Sequence, residues 1–185
     1  MSSLQFLSQR VSFPKVEAPG PSTEQLVKLF EAAGRAPDHM QLKPWRFMVI
    51  QGEARAEFGK LMVRAKEATA EIDETKRARL YNNAFRAPTI IIAITVFKPH
   101  EKVPEVEQVL STGAAVQNML LAAEMMGLGG MWRTGNMMFE PTMREGLAVA
   151  DNETIAGAIY LGTPVGKRKS IKALDLDKFV SYWRG

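Results

Sequence analysis

Cysteine is absent from the 185-residue sequence, and histidine occurs only at His39 and His100. Without cysteine the chain forms no disulfide, no thiolate metal site and no cysteine nucleophile. Two histidines are too few for the commoner zinc and di-iron sites, and they leave a serine triad almost no candidate. The sequence therefore predicts no metal site, and it offers no side chain of its own as the catalytic group.

The sequence also lacks a long hydrophobic run and a strong charge of one sign. Its longest aliphatic stretch, around residues 90–96, is far shorter than the roughly 20 residues that span a bilayer. The first five residues lack the basic and apolar regions of a secretion signal. The net charge is only +4, with acidic residues scattered among the basic ones, which is weak support for nucleic-acid binding. We expect a cytoplasmic protein that binds neither a membrane nor nucleic acid.

The composition that remains is that of a folded protein. Hydrophobic residues make up 46% of the chain and charged residues 24%, far from the polar, charge-rich pattern of disorder. A chain of 185 residues also fits around one hydrophobic core, because cores are outgrown only past about 250 residues. We therefore predict one domain that spans residues 1–185.

A helix is predicted to begin at Ser22, after the chain-breaking residues 19–21. Gln25 follows three residues later, so that Ser22 and Gln25 form a capping box. The apolar residues that follow recur at the spacing of one helical face, namely Leu26, Leu29, Phe30 and Ala33. This stripe is predicted to face the core.

Short β-prone runs alternate with helical patterns along the rest of the chain. Three runs are typical of strands, the middle one buried on both faces: residues 46–51, 89–97 and 154–161. The remaining predictions are one or two surface helices within 53–82, a long helix over 109–126, a short strand at 131–134 and a short helix at 141–147. This alternation, without an internal repeat, predicts a single α/β or α+β layer fold.

Two glycine-containing segments resemble nucleotide-binding loops but lack essential parts. Residues 162–167 have three residues between the glycines instead of four, and Arg168 stands where a phosphate loop needs serine or threonine. Residues 127–130 have no third glycine at the spacing of a dinucleotide-binding loop, and they precede a strand-like segment instead of a helix. We therefore predict neither a nucleotide triphosphatase nor a classical dinucleotide fold.

Groups of polar residues lie at three places where the predicted local structure changes: residues 10–12, 35–39 and 132–134. Singly, each has a structural explanation, such as a helix-end charge, a turn or core packing. Taken in order along the chain, however, five blocks resemble the FMN-dependent nitroreductase family: Arg-Val-Ser at 10–12, Arg-Ala-Pro-Asp-His at 35–39, Lys-Pro-Trp-Arg-Phe at 43–47, Gly-Gly-Met-Trp-Arg-Thr-Gly at 129–135 and Leu-Gly-Thr-Pro at 161–164. The resemblance covers essentially the whole chain and is to the small, single-domain NAD(P)H nitroreductases.

The resemblance implies an α+β nitroreductase-like sandwich, in which a central mixed β-sheet is flanked by helices, assembled as a homodimer. It implies FMN as the cofactor, and the residues carried over as FMN contacts are Arg10, Val11, Ser12, Arg35, His39, Trp132, Arg133 and Thr134. Arg35 and His39 match positions that approach the flavin of the other subunit. A segment at the end of the long helix is carried over as the nicotinamide nucleotide site, although an ordinary apolar helix end explains it as well: Ala122, Ala123, Glu124, Met125, Met126 and Gly127.

Position 11 departs from the family pattern. Many relatives have a second arginine where Val11 stands, so one cation expected at the FMN phosphate is missing. A phosphate dianion favours guanidinium donors, which make short, charge-assisted hydrogen bonds. Lys167 or Arg168 would supply the missing charge, unless both are ordinary surface residues.

The chemistry implied is hydride transfer in two half-reactions. NADH or NADPH reduces FMN, and the reduced flavin then reduces a nitroaromatic, a quinone-like compound or another small acceptor. The reactive atoms belong to the cofactor, so the protein supplies placement and electrostatics. Three alternatives remain: a flavin enzyme of the same fold with a different reaction, a non-catalytic FMN carrier, and an α/β binding module without flavin.

Overall fold

The computed structural model describes residues 3–185, which form six α-helices and five strands. The helices are α1 (Ser3–Ser8), α2 (Thr23–Ala33), α3 (Ala54–Glu67), α4 (Glu74–Asn82), α5 (Glu105–Met125) and α6 (Pro141–Gly146). The strands are β1 (Val16–Glu17), β2 (Trp45–Gln51), β3 (Thr89–Val96), β4 (Gly129–Arg133) and β5 (Glu153–Pro164). None of the helices in this part of the chain combines the length and the apolar character that a bilayer crossing requires.

The five strands form one sheet with β3 and β5 at its centre. Strand β3 pairs with β2 and with β5, and β4 and the short β1 also pair with β5. The predicted α+β sandwich is confirmed, but its sheet differs from the mixed one expected, because every pairing within residues 3–185 is antiparallel. The reason lies in the connection: Gln51 at the end of β2 pairs with Thr89 at the start of β3. The chain thus leaves and re-enters the sheet at the same end, which gives antiparallel neighbours.

Strand β3 is buried on both faces, as its continuous apolar run predicts. Alternate residues belong to two separate core clusters, as the two-residue period of a strand requires. On one face Ile90, Ile92 and Ile94 pack with residues of α3, α6 and β5. On the other face Ile91 and Ala93 pack with α2 and α5. The two clusters make β3 the centre of the sandwich.

The capping box predicted for α2 is present. The Ser22 hydroxyl accepts from the Gln25 backbone N–H at 3.2 Å, and the Ser22 N–H donates to the Gln25 side-chain oxygen at 2.9 Å. These two bonds satisfy backbone groups that the first helical turn leaves without partners. The prediction of the helix start is therefore confirmed.

The segment predicted as surface helices forms α3 and α4, but α3 is a core helix. Its buried side chains include Phe58, Leu61, Met62, Val63 and Ala65. Six of its fourteen residues are charged, which lowers its average hydropathy and obscures this apolar face in the sequence. The prediction of a surface position was wrong for α3, because burial depends on the direction in which residues point and not on the average.

A buried ion pair joins two strands at one end of the sheet. Arg46 on β2 donates to both carboxylate oxygens of Glu153 at 2.7 Å, through Nε and Nη2. The Ala150 N–H donates to the same carboxylate at 3.0 Å, and the Glu153 side chain is 9% exposed. The hydrogen bond from Arg46 is the main cause that lowers the pKa of Glu153.

Replacing Glu153 by glutamine should destabilise the protein in a pH-dependent way. At pH 7 we expect the free energy of unfolding to fall by about 1.5 to 3 kcal/mol, nearer the lower value because Arg46 is one-third exposed. A lowered pKa in the folded state means that the stabilisation is complete above the unfolded-state pKa, about 4.3. It is lost as the pH falls through the lower, folded-state value.

Urea denaturation of the wild type and Glu153→Gln at pH 7 and at decreasing pH measures this difference. The exposed pair Glu57–Lys60, with a matching 2.7 Å contact, supplies Glu57→Gln as the control. The control should change stability far less at every pH. A Glu153→Gln difference that stays constant down to pH 2 would contradict the proposed cause.

Candidate functional site

The opening segment, residues 9–17, lies along the ends of β4 and β5. The Phe13 N–H donates to the Gly130 carbonyl at 3.1 Å, and Arg133 Nη2 donates to the Pro14 carbonyl at 2.8 Å. Strand β1 then pairs with the last residues of β5. These contacts bring the segment that contains residues 10–12 next to the strand that leads into residues 132–134, so two of the predicted blocks meet.

A cavity of about 300 Å³ lies beside β4. Five elements from distant parts of the sequence contribute to it: α3, the turn before β3, strand β4, the turn after β4, and strand β5. The residues that line it are Met62, Asn83, Arg86, Met131, Trp132, Arg133, Thr134, Met137, Met138 and Tyr160. Among the lining residues that the structure describes, the charged ones are both arginines, and no aspartate or glutamate accompanies them. The cavity is therefore suited to an anionic or electron-rich ligand.

Arg133, one of the two arginines that line this cavity, has an incomplete set of hydrogen bonds. Its guanidinium carbon lies 5.0 Å from the centre of the Tyr160 ring, a cation–π distance. Its Nε is buried and has no hydrogen-bond partner among residues 3–185. Burial, and then the nearby charge of Arg86, lower the pKa of Arg133. A buried donor without a partner costs free energy.

Trp132 points away from Arg133, because successive side chains of a strand face opposite sides. The sheet register skips Ala156, since Ala93 pairs with Gly157 and Ile94 pairs with Ile155. This bulge releases the Ala156 carbonyl, which accepts from Trp132 Nε1 at 3.1 Å. The hydrogen bond fixes the orientation of an indole that is still 36% exposed.

Gly157 makes room for this indole. Its φ of +145° lies in the region that favours glycine, and an added Cβ would be 2.2 Å from Trp132 Nε1. Both the backbone conformation and the space therefore require glycine at this position.

Arg35 and His39 lie outside the cavity beside β4. Both are exposed, and His39 begins a short 3₁₀ turn after α2. His39 Nδ1 is 2.7 Å from the Glu107 carboxylate of α5. His39 lines a different depression, which includes Pro37 and Leu110, and Arg35 is not among its lining residues. Within one chain, the structure does not bring Arg35 and His39 together with Arg133.

The segment 122–127 forms the C-terminal end of α5. Ala123 is buried in the core, and Gly127, with a φ of +77°, ends the helix. Glu124 is paired with Arg168, whose Nη2 also donates to the Gln9 carbonyl. Of the two cations considered for the gap at Val11, Arg168 is thus the one that contacts the opening segment.

Asn83, Arg86 and Tyr160 line the cavity but were not among the residues that the sequence singled out. Tyr160 looks like any apolar member of a buried strand. Arg86 lies just before the proline-bounded run of β3. Its position at the start of a central strand is the one local feature of the sequence that points to a role for this arginine. Only the pairing of β3 with β5 brings Arg86 near Arg133.

Comparisons with known proteins agree with the resemblance seen in the sequence. The model of the nitroreductase family matches residues 8–163. The "Putative NAD(P)H nitroreductase YdjA" of Escherichia coli (strain K12) is 38% identical over 185 residues, which cover 99% of this chain and 100% of that protein. A nitroreductase-like family protein from Bacillus cereus has a similar structure, with a TM-score of 0.86 at 21% identity over 100% of this chain and 97% of that one.

A further solved structure, a nitroreductase-type protein from Desulfovibrio desulfuricans, is in complex with FMN. It has a TM-score of 0.76 at 25% identity and covers 98% of this chain and 97% of that one. The family match over most of the chain, together with these full-length similarities, establishes the relationship. The chain belongs to the nitroreductase family, a family of oxidoreductases.

Proposed function

We propose that the protein is an FMN-dependent NAD(P)H oxidoreductase of the nitroreductase type. NADH or NADPH would reduce the bound flavin, and a nitroaromatic, a quinone-like compound or another small acceptor would then be reduced in a second half-reaction. The observation that carries the proposal is the cavity beside β4, whose charged lining residues, in the part of the chain that the structure describes, are Arg86 and Arg133 without a carboxylate. The FMN complex of the Desulfovibrio relative supports the same cofactor.

The residues around the cavity fit the two polar ends of FMN. The reduced flavin ring carries negative charge at its pyrimidine edge, where Arg133 and Arg86 would stabilise it. The phosphate needs guanidinium and hydroxyl donors, which Arg10 and Ser12 in the adjoining opening segment provide. Val11 packs against the core, so it anchors this segment between the two donors.

The protein's contribution to the reaction is binding, orientation and charge. When bound, FMN supplies the atom that accepts and returns the hydride. The backbone of residues 132–134 would lie beside the ring, and the hydrogen bond from Trp132 to Ala156 keeps that strand in place. Met131, Met137 and Met138 would exclude water from one side of the cavity, which strengthens the interaction of the arginines with charge on the ring.

We propose a homodimer in which Arg35 and His39 of one subunit approach the FMN of the other. Both side chains are exposed and lie apart from the cavity of their own chain. The contact between His39 and Glu107 would hold the imidazole in a defined orientation. Sedimentation of the holoprotein should therefore give twice the mass of the 20.5 kDa chain.

The visible spectrum of the purified protein tests the proposal directly. We expect flavin absorption bands that bleach when NADH or NADPH is added under nitrogen, and that return when a nitroaromatic or a quinone is added. Steady-state rates should give parallel double-reciprocal lines for donor and acceptor. Bands that neither nucleotide bleaches would favour an FMN carrier or an enzyme with another source of electrons. A colourless protein that does not bind added FMN would contradict the proposal.

Replacing Arg10 by alanine should weaken FMN binding by about tenfold to a hundredfold, because a charge-assisted hydrogen bond contributes about 1.5 to 3 kcal/mol. Fluorescence titration of the apoprotein with FMN measures the change. Lys15, an exposed cation of the same segment, supplies Lys15→Ala as the matched control, for which we expect little change. Equal affinities for wild type and Arg10→Ala would remove Arg10 from the site.

A further inference from the structure

The chain beyond β5 returns to the opening segment through one arginine. After Pro164 it turns at Gly166, which has a φ of +81°. Arg168 follows, and its Nη2 donates both to the Gln9 carbonyl and to the Glu124 carboxylate. A single guanidinium thus joins three parts of the molecule: the end of α5, the opening segment and the segment after β5.

The two members of this ion pair differ in exposure. The Glu124 side chain is 10% exposed, whereas that of Arg168 is 46% exposed. A carboxylate with so little access to water is stabilised by a cation or by several hydrogen-bond donors. Glu124 therefore holds Arg168 in place, while the guanidinium keeps access to solvent and to a ligand.

Arg168 has donors to spare in this position. A guanidinium carries five N–H donors, and the hydrogen bonds formed by Arg168 within residues 3–185 involve only Nη2. The Gln9 carbonyl belongs to the peptide group that leads directly into Arg10. The unused donors of Arg168 are therefore beside residues 10–12, where Val11 leaves a cation missing.

We propose that Glu124 is a positioning residue, which holds Arg168 against the opening segment so that this guanidinium supplies the second cationic contact to the FMN phosphate. The inference rests on the proposed function, since it concerns the phosphate end of the same flavin site. It assigns Glu124 to the phosphate end, through Arg168, instead of to the nicotinamide nucleotide. It also distinguishes Arg168 from Lys167, whose side chain forms no hydrogen bond within the described part of the chain.

A comparison of FMN with riboflavin isolates contacts to the phosphate, because riboflavin has the same ring and ribityl chain without it. We expect Arg168→Gln to weaken FMN binding by about tenfold to a hundredfold and to leave riboflavin binding unchanged. Lys167→Gln makes the same charge change one residue away and should alter the FMN preference by less than about threefold. Fluorescence titration of each apoprotein measures both affinities.

The role of Glu124 is tested by a double-mutant cycle. Glu124→Ala should reduce the preference for FMN over riboflavin, although it removes a negative charge that would otherwise repel the phosphate. Glu124→Gln, which retains an acceptor for Arg168, should keep more of that preference than Glu124→Ala. The double variant Glu124→Ala, Arg168→Gln should have the same or a greater preference for FMN over riboflavin than Arg168→Gln alone, because Glu124 acts through Arg168.

Three results would overturn the inference. The first is tighter FMN binding by Glu124→Ala, which would mean that the carboxylate only repels the phosphate. The second is that the two single variants lose FMN preference additively in the double variant, which would mean that Glu124 acts independently of Arg168. The third is a loss of FMN preference in Lys167→Gln but not in Arg168→Gln, which would mean that Lys167 is the missing cation. An apoprotein that binds neither FMN nor riboflavin would instead contradict the proposed function itself.

Discussion

Gly157→Ala is expected to lower the free energy of unfolding by about 3 to 5 kcal/mol, because it combines backbone strain with a steric clash. The φ of +145° at this position is unfavourable for alanine, and the new methyl group would be 2.2 Å from Trp132 Nε1. The indole has to move, and the bond to the Ala156 carbonyl is then lost. Urea denaturation gives the stability, and tryptophan fluorescence reports the displaced ring.

Gly135 supplies a matched control for this prediction. Its φ is +146°, nearly the same, but an added Cβ has no heavy atom within 4 Å. Gly135→Ala should therefore show only the conformational cost, about 1 to 3 kcal/mol. The difference between the two variants measures the clash with Trp132 and with the Arg133 carbonyl oxygen, which would be 2.8 Å from the added Cβ. Equal losses would mean that the indole and the bulge accommodate a methyl group without cost.

Arg133→Leu is expected to weaken the binding of FMN and of riboflavin alike, by about a hundredfold. The substitution removes the buried donors that lie in the cavity beside Tyr160, at the proposed position of the ring. This pattern differs from that of Arg10 and Arg168, whose loss should affect FMN only. The bound flavin should also become harder to reduce, because less positive charge stabilises the reduced ring. Flavin titrations and the reduction potential measure both effects.

Arg55 is the control for the structural part of the Arg133 substitution. Its guanidinium lies 5.3 Å from the Phe85 ring centre, and Nη1 donates to the Ala87 carbonyl at 3.1 Å. Arg133 makes the equivalent pair of contacts, with Tyr160 and the Pro14 carbonyl. Arg55→Leu should therefore reduce stability to a similar extent without changing flavin affinity. Unchanged affinity for both flavins in Arg133→Leu would place the ring outside this cavity.

Elements that depend on neighbours in sequence were predictable. The capping box at Ser22 uses residues three apart, and the run of β3 is β-prone and almost entirely apolar because both of its faces are covered. Periodicity also predicted the long helix α5. Local hydropathy was misleading for α3, where charged residues on the outer side lower the average while Phe58 and Leu61 pack into the core.

The candidate site was predictable only where the chain presents recognisable blocks. The blocks at 10–12 and 132–134 were identified in the sequence, and the structure brings their segments together through the bond between Phe13 and Gly130. Arg86 was missed, since it joins the site only when β3 and β5 pair. The link between Arg168 and Glu124 was not foreseeable either, because 44 residues separate them.

The amino-acid sequence by itself determined most of the helices and strands and the blocks of the family, because these depend on residue type and short-range spacing. Tertiary structure alone decided three features of residues 3–185: their strand pairs are antiparallel, two arginines share one cavity without a carboxylate, and Arg168 reaches the opening segment. Such contacts join residues far apart in the chain. Their geometry follows from how the whole sheet and its helices pack, and no local pattern encodes it.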